Sequence, residues 1–374
     1  MSTDKFKSIR PYIDDEEIPA LKRIASHPLL EDISAYLFPK KNTGELRALI
    51  SSLKNVYEFQ GKVMYYAVNK IIEDTTDGLS YSGFENISEN KKHILISNHR
   101  DILLDSALIQ VIFWKNGIKT SEMAVGDNLI TDSFIEDIAR SNKMIKVVRS
   151  SNPRELYKSS LLLSEYIRNA ITSDRNSVWI AQRNGRTKDG VDITEQGLLK
   201  MLDMSGTGDF VKDFDELSIV PVSISYEYEP CDYLKAKELY ISRRARYKKS
   251  PGEDLNSILT GIMQYKGRVH TTFNRPIEIE ELKRCSKIGK NGKFKELAEI
   301  IDKRIYSGYK VWNTNKISSD LLTDNNKYSS AYTKDEFIKF KEYFDSKTSD
   351  FTGDKSELKE IFLSIYANAL LNCI

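Results

Sequence analysis

Between residues 91 and 280, short apolar runs alternate with longer stretches of helical periodicity, and this alternation restricts the possible folds more than any other feature. The runs have the length of buried strands, and the stretches between them repeat apolar residues every three or four positions. Such alternation is typical of an α/β domain with a mixed, mainly parallel sheet flanked by helices. The predicted strands are His93–Ser97, Glu122–Val125, Met144–Val148, Ser177–Ala181, Ser218–Ser225 and Arg268–Phe273. The predicted helices are 103–116, 131–141, 153–172 and 194–203.

The segments on either side of this pattern are amphipathic and lack strand-like runs. Residues 15–75 repeat apolar positions at helical spacing, and so do the stretches after residue 280. We therefore expect an N-terminal helical region (1–80), an α/β core (81–280) and a helical C-terminal region packed on the core (281–374). A charged insertion within the core, residues 229–250, is predicted to be helical.

Charge and cysteine usage exclude several classes of function. The net charge is only +2, from 56 Lys and Arg against 54 Asp and Glu, so no nucleic-acid partner is expected. Cys231, Cys285 and Cys373 are odd in number and far apart, which argues against a metal site or a disulfide framework and favours a reducing compartment.

The sequence predicts a cytoplasmic protein whose contact with membranes is peripheral. The N-terminal residues lack the apolar core of a signal peptide. The longest apolar stretch, Ile102–Trp114, has 13 residues and includes Asp105 and Gln110, so it is too short to span a bilayer.

His99 lies where the predicted strand 93–97 gives way to the helix 103–116. Ligand sites of open α/β sheets concentrate at such junctions. A neutral imidazole that a carboxylate orients through its second nitrogen can remove a proton from a hydroxyl group. The alternative is a surface histidine followed by Asp101 as the N-cap of the helix.

The stretch SNHRDILLD, residues 97–105, resembles the His-and-Asp motif of the glycerolipid acyltransferases, which include glycerol-3-phosphate and 1-acylglycerol-3-phosphate acyltransferases. In that motif four residues lie between His and Asp. Here five residues lie between His99 and Asp105, and one lies between His99 and Asp101. The resemblance implies that His99 is the general base. Asp105 is the preferred orienting residue and Asp101 its competitor, and Asn98 and Arg100 are expected to bind substrate.

Three further blocks match the same family in the correct order. Val147-Val148-Arg149 resembles its second motif, and Arg149 is expected to hold a phosphate. The turn QRNGRTK, residues 182–188, resembles the third motif. It supplies Arg183, Gly185, Arg186 and Lys188 as substrate-binding residues. The run SIVPVSI resembles the fourth motif, and Val220, Pro221 and Val222 are expected to shape the acyl pocket.

The resemblance implies acyl transfer from an acyl thioester, carried by coenzyme A or acyl carrier protein, to a hydroxyl of a glycerol phosphate or a lysolipid in membrane lipid synthesis. No bound cofactor or metal is expected. A peripheral position on the inner face of the membrane follows from the substrates. Two alternatives stay open: a non-catalytic lipid- or acyl-carrier-binding protein on the same scaffold, and an O-acyltransferase for a lyso-aminolipid.

A basic run, residues 243–249 (RRARYKK), has two interpretations. It can attract anionic lipid head groups or an acidic carrier protein. It can equally be a solvated helical face. The sequence favours neither interpretation over the other.

Overall fold

In the computed structural model, which describes residues 4–38, 42–289 and 292–371, seven strands form one mixed sheet. The strands are β1 (Leu79–Ser82), β2 (Ile94–Ser97), β3 (Glu122–Gly126), β4 (Met144–Val147), β5 (Val178–Ala181), β6 (Ile219–Tyr226) and β7 (Val269–Phe273). Their order is β1-β7-β6-β2-β5-β3-β4, and only the β6–β7 pairing is antiparallel. The five strands from β6 to β4 therefore run in one direction and end at one edge.

Helices precede, interleave and follow these strands. The N-terminal group is α1 (Glu17–Ser26), α2 (Leu30–Leu37), α3 (Thr43–Ser52), α4 (Val56–Phe59) and α5 (Tyr65–Thr75), with a π-helical turn, Gln60–Met64, joining α4 to α5. The core contains α6 (Leu104–Lys115), α7 (Ser133–Ser141), α8 (Pro153–Thr172), α9 (Gln196–Asp203) and α10 (Phe210–Asp215). The remaining helices are α11 (Asp232–Ser242), α12 (Glu253–Met263), α13 (Ile279–Ser286), α14 (Gly292–Gly308), α15 (Asn313–Thr323), α16 (Lys334–Thr348) and α17 (Lys355–Leu371).

Both faces of the sheet are covered, as the apolar strands require. In β2, Ile94 and Ile96 pack with α8, α9, α10 and α14, whereas Leu95 packs with α5 and α6 on the opposite face. In β5, Trp179 points to the α5 and α6 side while Ile180 faces α8 and α9. The predicted fold class, a mainly parallel sheet flanked by helices with helical regions before and after it, is confirmed.

The predicted strands agree with the observed ones to within about two residues, but the charged insertion differs from its prediction. Residues 229–250 were expected to be helical, yet only α11 is, and the basic run 243–249 lies beyond its end. Gly252, with φ of +81°, then starts a second helix, α12, that periodicity did not predict. The C-terminal helices α15, α16 and α17 pack on α11 through a separate apolar cluster.

His93 is buried at the start of the central strand and links folding to pH. Its Nδ1 hydrogen-bonds with Ser218 Oγ at 3.0 Å, and its Nε2 accepts from the Ser88 amide at 3.4 Å. Burial lowers the pKa of His93 to about 4 from 6.5. Because the unfolded chain binds this proton at higher pH than the folded chain does, stability falls as the pH drops from about 6.5 towards 4.

We expect the free energy of unfolding to fall by about 3 kcal/mol between neutral pH and about pH 4 because of His93. Urea unfolding at about pH 7 and at about pH 4.5 measures the difference. In His93→Gln, which cannot titrate, the acid loss should shrink by most of this amount. An equal acid loss in both proteins would show that other groups cause it.

Candidate active site

His99 lies just beyond the end of β2, the strand with β6 on one side and β5 on the other. The carboxyl ends of β3, β4 and β5 open beside it, because these strands run parallel to β2. This position matches the general location of ligand sites in parallel sheets.

The Nδ1 atom of His99 hydrogen-bonds with Asp105 Oδ2 at 2.9 Å. The imidazole is 14% exposed, the carboxylate is fully buried, and the indole of Trp179 meets the ring edge-on at 6.0 Å between centroids. This arrangement leaves Nε2 as the nitrogen that can accept a proton. The structure thus brings together the predicted base and its preferred partner.

Asp105 is held by groups other than the histidine. Its Oδ2 accepts from the amides of Arg100 at 2.6 Å and Asp101 at 2.9 Å, and its Oδ1 accepts from the Tyr226 hydroxyl at 2.8 Å. Burial, reinforced by the Asp105 charge, raises the pKa of Tyr226 well above its usual range, so this hydroxyl stays a donor. Fixed donors of this kind hold a buried carboxylate in one orientation.

Asp101 has a different role. Its Oδ1 accepts from the amides of Leu103 at 2.9 Å and Leu104 at 2.8 Å, which caps the start of α6. Burial, with a smaller effect of the Asp105 charge, raises the pKa of Asp101. The geometry therefore gives Asp105 the orienting position and Asp101 the cap.

Asn98 and Arg100, predicted to bind substrate, are buried and line neither of the cavities beside His99. The side chain of Asn98 bonds to the backbone of Ile224 at both ends, at 2.8 and 2.9 Å. Arg100 reaches Asp192 at 2.5 Å and Glu229 at 3.3 Å. The positions of these two residues do not favour direct contact with substrate, because their polar groups hold the loop that carries His99.

The residues that hold this loop were not found from the sequence. Lys235 donates to the Arg100 carbonyl at 2.7 Å and to Glu229 at 2.6 Å, and the Thr187 amide donates to the His99 carbonyl at 2.7 Å. Glu229 and Lys235 lie more than a hundred residues along the chain from His99. No local spacing could have connected them to it.

One cavity beside His99 is largely apolar and has a volume of about 630 Å³. It lies between the ends of β3, β4 and β5 and the helices α8 and α9. Its apolar wall consists mainly of Val125, Val148, Leu163, Ile180, Leu198 and Met201.

A second cavity, of about 280 Å³, is charged. It shares His99, Ile102, Leu129, Arg149, Arg183, Asn184 and Gly185 with the apolar cavity. The remaining walls come from the 186–189 segment, α11 and the start of α12. We call the two spaces the apolar cavity and the charged cleft, and His99 lies where they meet.

Arg149 is exposed just after β4, and its backbone amide donates to the Asp127 carboxylate at 3.2 Å. Its guanidinium lies against Gly126, where a Cβ atom would be 2.8 Å from Arg149 Nε. A larger residue at 126 would therefore displace the guanidinium from this position.

The turn after β5 brings the other predicted cations to the charged cleft. Gly185 has φ of +77°, a conformation that favours glycine. Arg183 Nε and Arg186 Nη1 are buried and have no hydrogen-bond partner among the described residues. Lys188 is paired with Glu238. Arg149, Arg183, Gly185, Arg186 and Lys188 therefore share one space.

Residues 78–225 match the acyltransferase family model, and this range contains His99, Asp105, Arg149 and the 183–188 turn. This part of the chain is therefore similar to an acyltransferase domain.

The chain is similar to the crystal structure of the 1-acyl-sn-glycerophosphate (LPA) acyltransferase PlsC from Thermotoga maritima, with 13% identity, a TM-score of 0.41, and coverage of 77% of this chain and 91% of that one. No curated protein sequence matches this chain.

The three residues of β6 that are predicted to shape an acyl pocket lie within the sheet. Val220 and Val222 are fully buried and pack with α5 and α6, on the opposite side of the sheet from α8 and α9. Pro221 lies between them on β6, which β2 separates from β5. None of the three lines the apolar cavity. The acyl pocket on β6 stays a prediction, and the apolar cavity is bounded instead by β3, β4, β5, α8 and α9.

Within the described ranges of the chain, no helix combines the length and apolar character needed to cross a bilayer. In those same ranges, no three His, Cys, Asp or Glu side chains are grouped so that they could bind a metal ion.

Proposed function

We propose that this acyltransferase moves a fatty acyl group from a thioester donor, acyl-CoA or acyl-ACP, to a hydroxyl of a glycerol phosphate or lysophospholipid. The observation that supports this most strongly is the position of His99 between the apolar cavity and the charged cleft. An acyl chain requires the first environment, and a phosphate-bearing acceptor requires the second. The reacting ester and hydroxyl would meet at the imidazole.

In the proposed reaction, His99 Nε2 takes the proton of the acceptor hydroxyl as its oxygen attacks the thioester carbonyl. The tetrahedral intermediate then collapses, the carbon–sulfur bond breaks, and the thiolate leaves with the proton from the imidazolium. Asp105, at 2.9 Å from Nδ1, stabilises the transient imidazolium and fixes the ring. The thioester is already activated, so no covalent enzyme intermediate is needed.

Backbone amides of the 182–186 turn are our candidates for stabilising the oxyanion. The amides of Gln182 and Asn184 are already bonded, to the Ser97 carbonyl and to Glu195. Those of Arg183, Gly185 and Arg186 donate to no group in the described part of the chain. Amides fixed by such a turn cost little reorganisation when charge develops on the carbonyl oxygen.

The charge of the cleft favours an anionic acceptor. Its lining includes five basic side chains, Arg149, Arg183, Arg186, Lys188 and Lys249, against three acidic ones, Asp189, Glu238 and Asp254. Lys188 pairs with Glu238 and Lys249 with Asp254, so the three arginines are left for a phosphate. Arginine binds phosphate oxygens in pairs, which would position the acceptor hydroxyl relative to His99.

We further propose that the reaction takes place at the cytoplasmic face of a membrane, with the enzyme bound peripherally. The product carries an acyl chain next to a charged head group, and such a molecule partitions into a bilayer. No nucleic acid takes part in this scheme.

The Arg149→Ala variant should raise the apparent KM for a phosphorylated acceptor by about 10- to 100-fold while changing kcat much less, because a charge-assisted contact is lost. Arg275→Ala, which removes an exposed arginine outside the cleft, is the matched control. Steady-state kinetics with varied acceptor measure both. An unchanged KM in Arg149→Ala would indicate a neutral acceptor.

The function itself is tested by thiol release from an acyl thioester in the presence of candidate acceptors. Glycerol 3-phosphate and glycerol form one matched pair, and a lysophospholipid and a lyso-aminolipid form another. We expect turnover with the phosphorylated members. If the protein binds the donor but releases no thiol with any acceptor, it is the non-catalytic binding protein. If it turns over only the lyso-aminolipid, the acceptor is a lyso-aminolipid and not a phosphorylated molecule.

A further inference from the structure

Helix α12 (Glu253–Met263) has apolar residues on two sides. On the side towards the domain it buries Ser257 and Gly261, and Ile262 packs against the apolar cluster that includes α5 and α6. Leu255, Leu259 and Met263, four residues apart, are 60%, 49% and 64% exposed. Residues spaced by four lie along one side of a helix, so these three form a continuous apolar stripe opposite the buried side.

The small buried side of α12 allows the helix to lie directly on the loop that carries His99. A methyl group at Gly261 would collide with the Asp101 carboxylate. At the other end, Asp254 accepts from Asn128 at 3.2 Å and pairs with Lys249 at 2.5 Å, and all three residues line the charged cleft. The apolar stripe therefore lies on the outer side of an element that forms a wall of the cleft.

Basic residues lie in the segment that precedes α12 in the chain, residues 243–249. Arg243 and Arg244, at the start of the basic run, are paired with Glu357 on α17. Arg246 and Lys248 are exposed and pair with no carboxylate in the described ranges. The segment leading into α12 thus carries positive charge that no carboxylate of the described residues neutralises.

We propose that the α12 stripe, together with Arg246 and Lys248, is the surface on which this protein docks onto an anionic lipid bilayer. An apolar stripe that enters the acyl region, flanked by cations at head-group depth, is the combination that binds such a surface. Isolated apolar residues are common on protein surfaces, whereas an aligned set opposite a buried small-residue face is not.

A second copy of the chain fits this surface less well. A symmetric dimer through α12 would place the same patch against itself, so Arg246 and Lys248 of one copy would approach those of the other. Like charges brought together in this way oppose association. A bilayer containing acidic lipids has the complementary charge.

Docking through α12 would bring the mouth of the charged cleft to the level of the lipid head groups. This consequence rests on the proposed function, because it concerns delivery of a lysolipid acceptor and release of the acylated product. The docking surface itself rests only on the exposure and charge of residues 246–263.

The test is co-sedimentation with vesicles of phosphatidylcholine alone or mixed with phosphatidylglycerol. We expect wild-type protein to bind the mixed vesicles, and the L255S/L259S/M263S variant to lose about tenfold or more in partition coefficient. The matched control, L29S/I288S/I338S, also removes three exposed apolar residues, but outside α12, and should bind as wild type does. Equal loss in both triple variants, or in neither, would overturn the proposal.

The charged part is tested separately with R246A/K248A, matched to K287A/K334A, which removes two other exposed lysines. The vesicle partition coefficient of R246A/K248A should fall by about fivefold per charge at low salt, and by much less at about 0.5 M salt, where screening is strong. If sedimentation velocity showed instead that L255S/L259S/M263S dissociates a dimer while vesicle binding persists, the stripe would be an interface between copies.

Catalysis provides an independent readout. With a short-chain, water-soluble thioester and acceptor, L255S/L259S/M263S should turn over at the wild-type rate, because none of the three residues contacts the site. Absence of turnover in the wild type would contradict the proposed acyl transfer, but vesicle binding would still decide the docking surface.

Discussion

The His99→Ala variant is expected to lose acyl transfer by at least about 10²-fold and up to about 10⁴-fold in kcat, because it removes the general base of the proposed reaction. The Nδ1 atom of His99 is held by Asp105, and the ring stands where the apolar cavity meets the charged cleft. Thiol release from the donor, followed under saturating acceptor, measures the loss.

Folding should survive this change, since His99 is partly exposed and contributes only one side-chain hydrogen bond. Thermal unfolding and donor binding should therefore stay close to wild type. His27→Ala is the control: its ring stacks on Phe134 in the N-terminal helical layer, away from both cavities. Near-wild-type turnover in His99→Ala would remove the histidine from the mechanism.

The Asp105→Asn variant should lose about 10²- to 10⁴-fold in kcat, whereas Asp101→Asn should stay close to wild type. Asparagine at 105 keeps the size of the side chain but removes the charge that stabilises the imidazolium, and its amide can impose the wrong tautomer on His99. Asparagine at 101 can still cap α6 through its carbonyl oxygen, since Asn and Asp cap equally well.

This pair of variants decides between the two carboxylates that the sequence left open. Both side chains are buried next to the same loop, so general disturbance of the loop should affect both variants alike. A specific loss in Asp105→Asn indicates orientation of His99. The opposite order, with Asp101→Asn the more damaging, would show that the hydrogen bond seen between His99 and Asp105 is not the one used in catalysis.

The strands of the core could be predicted closely because each is a short apolar run bounded by polar residues. The start of β6 at Ile219 and the end of β2 at Ser97 lie within one residue of their predictions. The order of the strands and the reversal of β7 could not be predicted, since they depend on pairings between residues far apart in sequence. Residues 39–41, within the predicted N-terminal helical region, lie outside the described residues.

The six-residue separation of His99 and Asp105 illustrates a limit of spacing arguments. One extra residue within a helix would rotate a side chain by about 100°. The helix α6, however, begins only at Leu104, so residues 100–103 absorb the extra length as a loop. Asp105 lies in the first helical turn and still reaches the imidazole. The number of residues between His and Asp in a family motif therefore does not show where the helix begins.

Two features of the structure depend on burial, which residue type alone does not give. Arg100 is predicted to bind substrate, yet its carboxylate partners, Asp192 and Glu229, come from distant segments. Helix α12, which the periodicity does not predict, exposes Leu255, Leu259 and Met263 and buries Ser257 and Gly261. In both cases the tertiary partners determine the role, and local sequence does not contain them.

The most direct test of the account is a structure with a non-transferable acyl thioester analogue and a phosphorylated acceptor bound together. The account predicts the acyl chain in the cavity between β3, β4, β5, α8 and α9, with the phosphate on Arg149, Arg183 and Arg186. The acceptor hydroxyl should lie about 3 Å from His99 Nε2. An acyl chain bound elsewhere, or an acceptor hydroxyl out of reach of His99, would contradict the two-part site on which the proposed function depends.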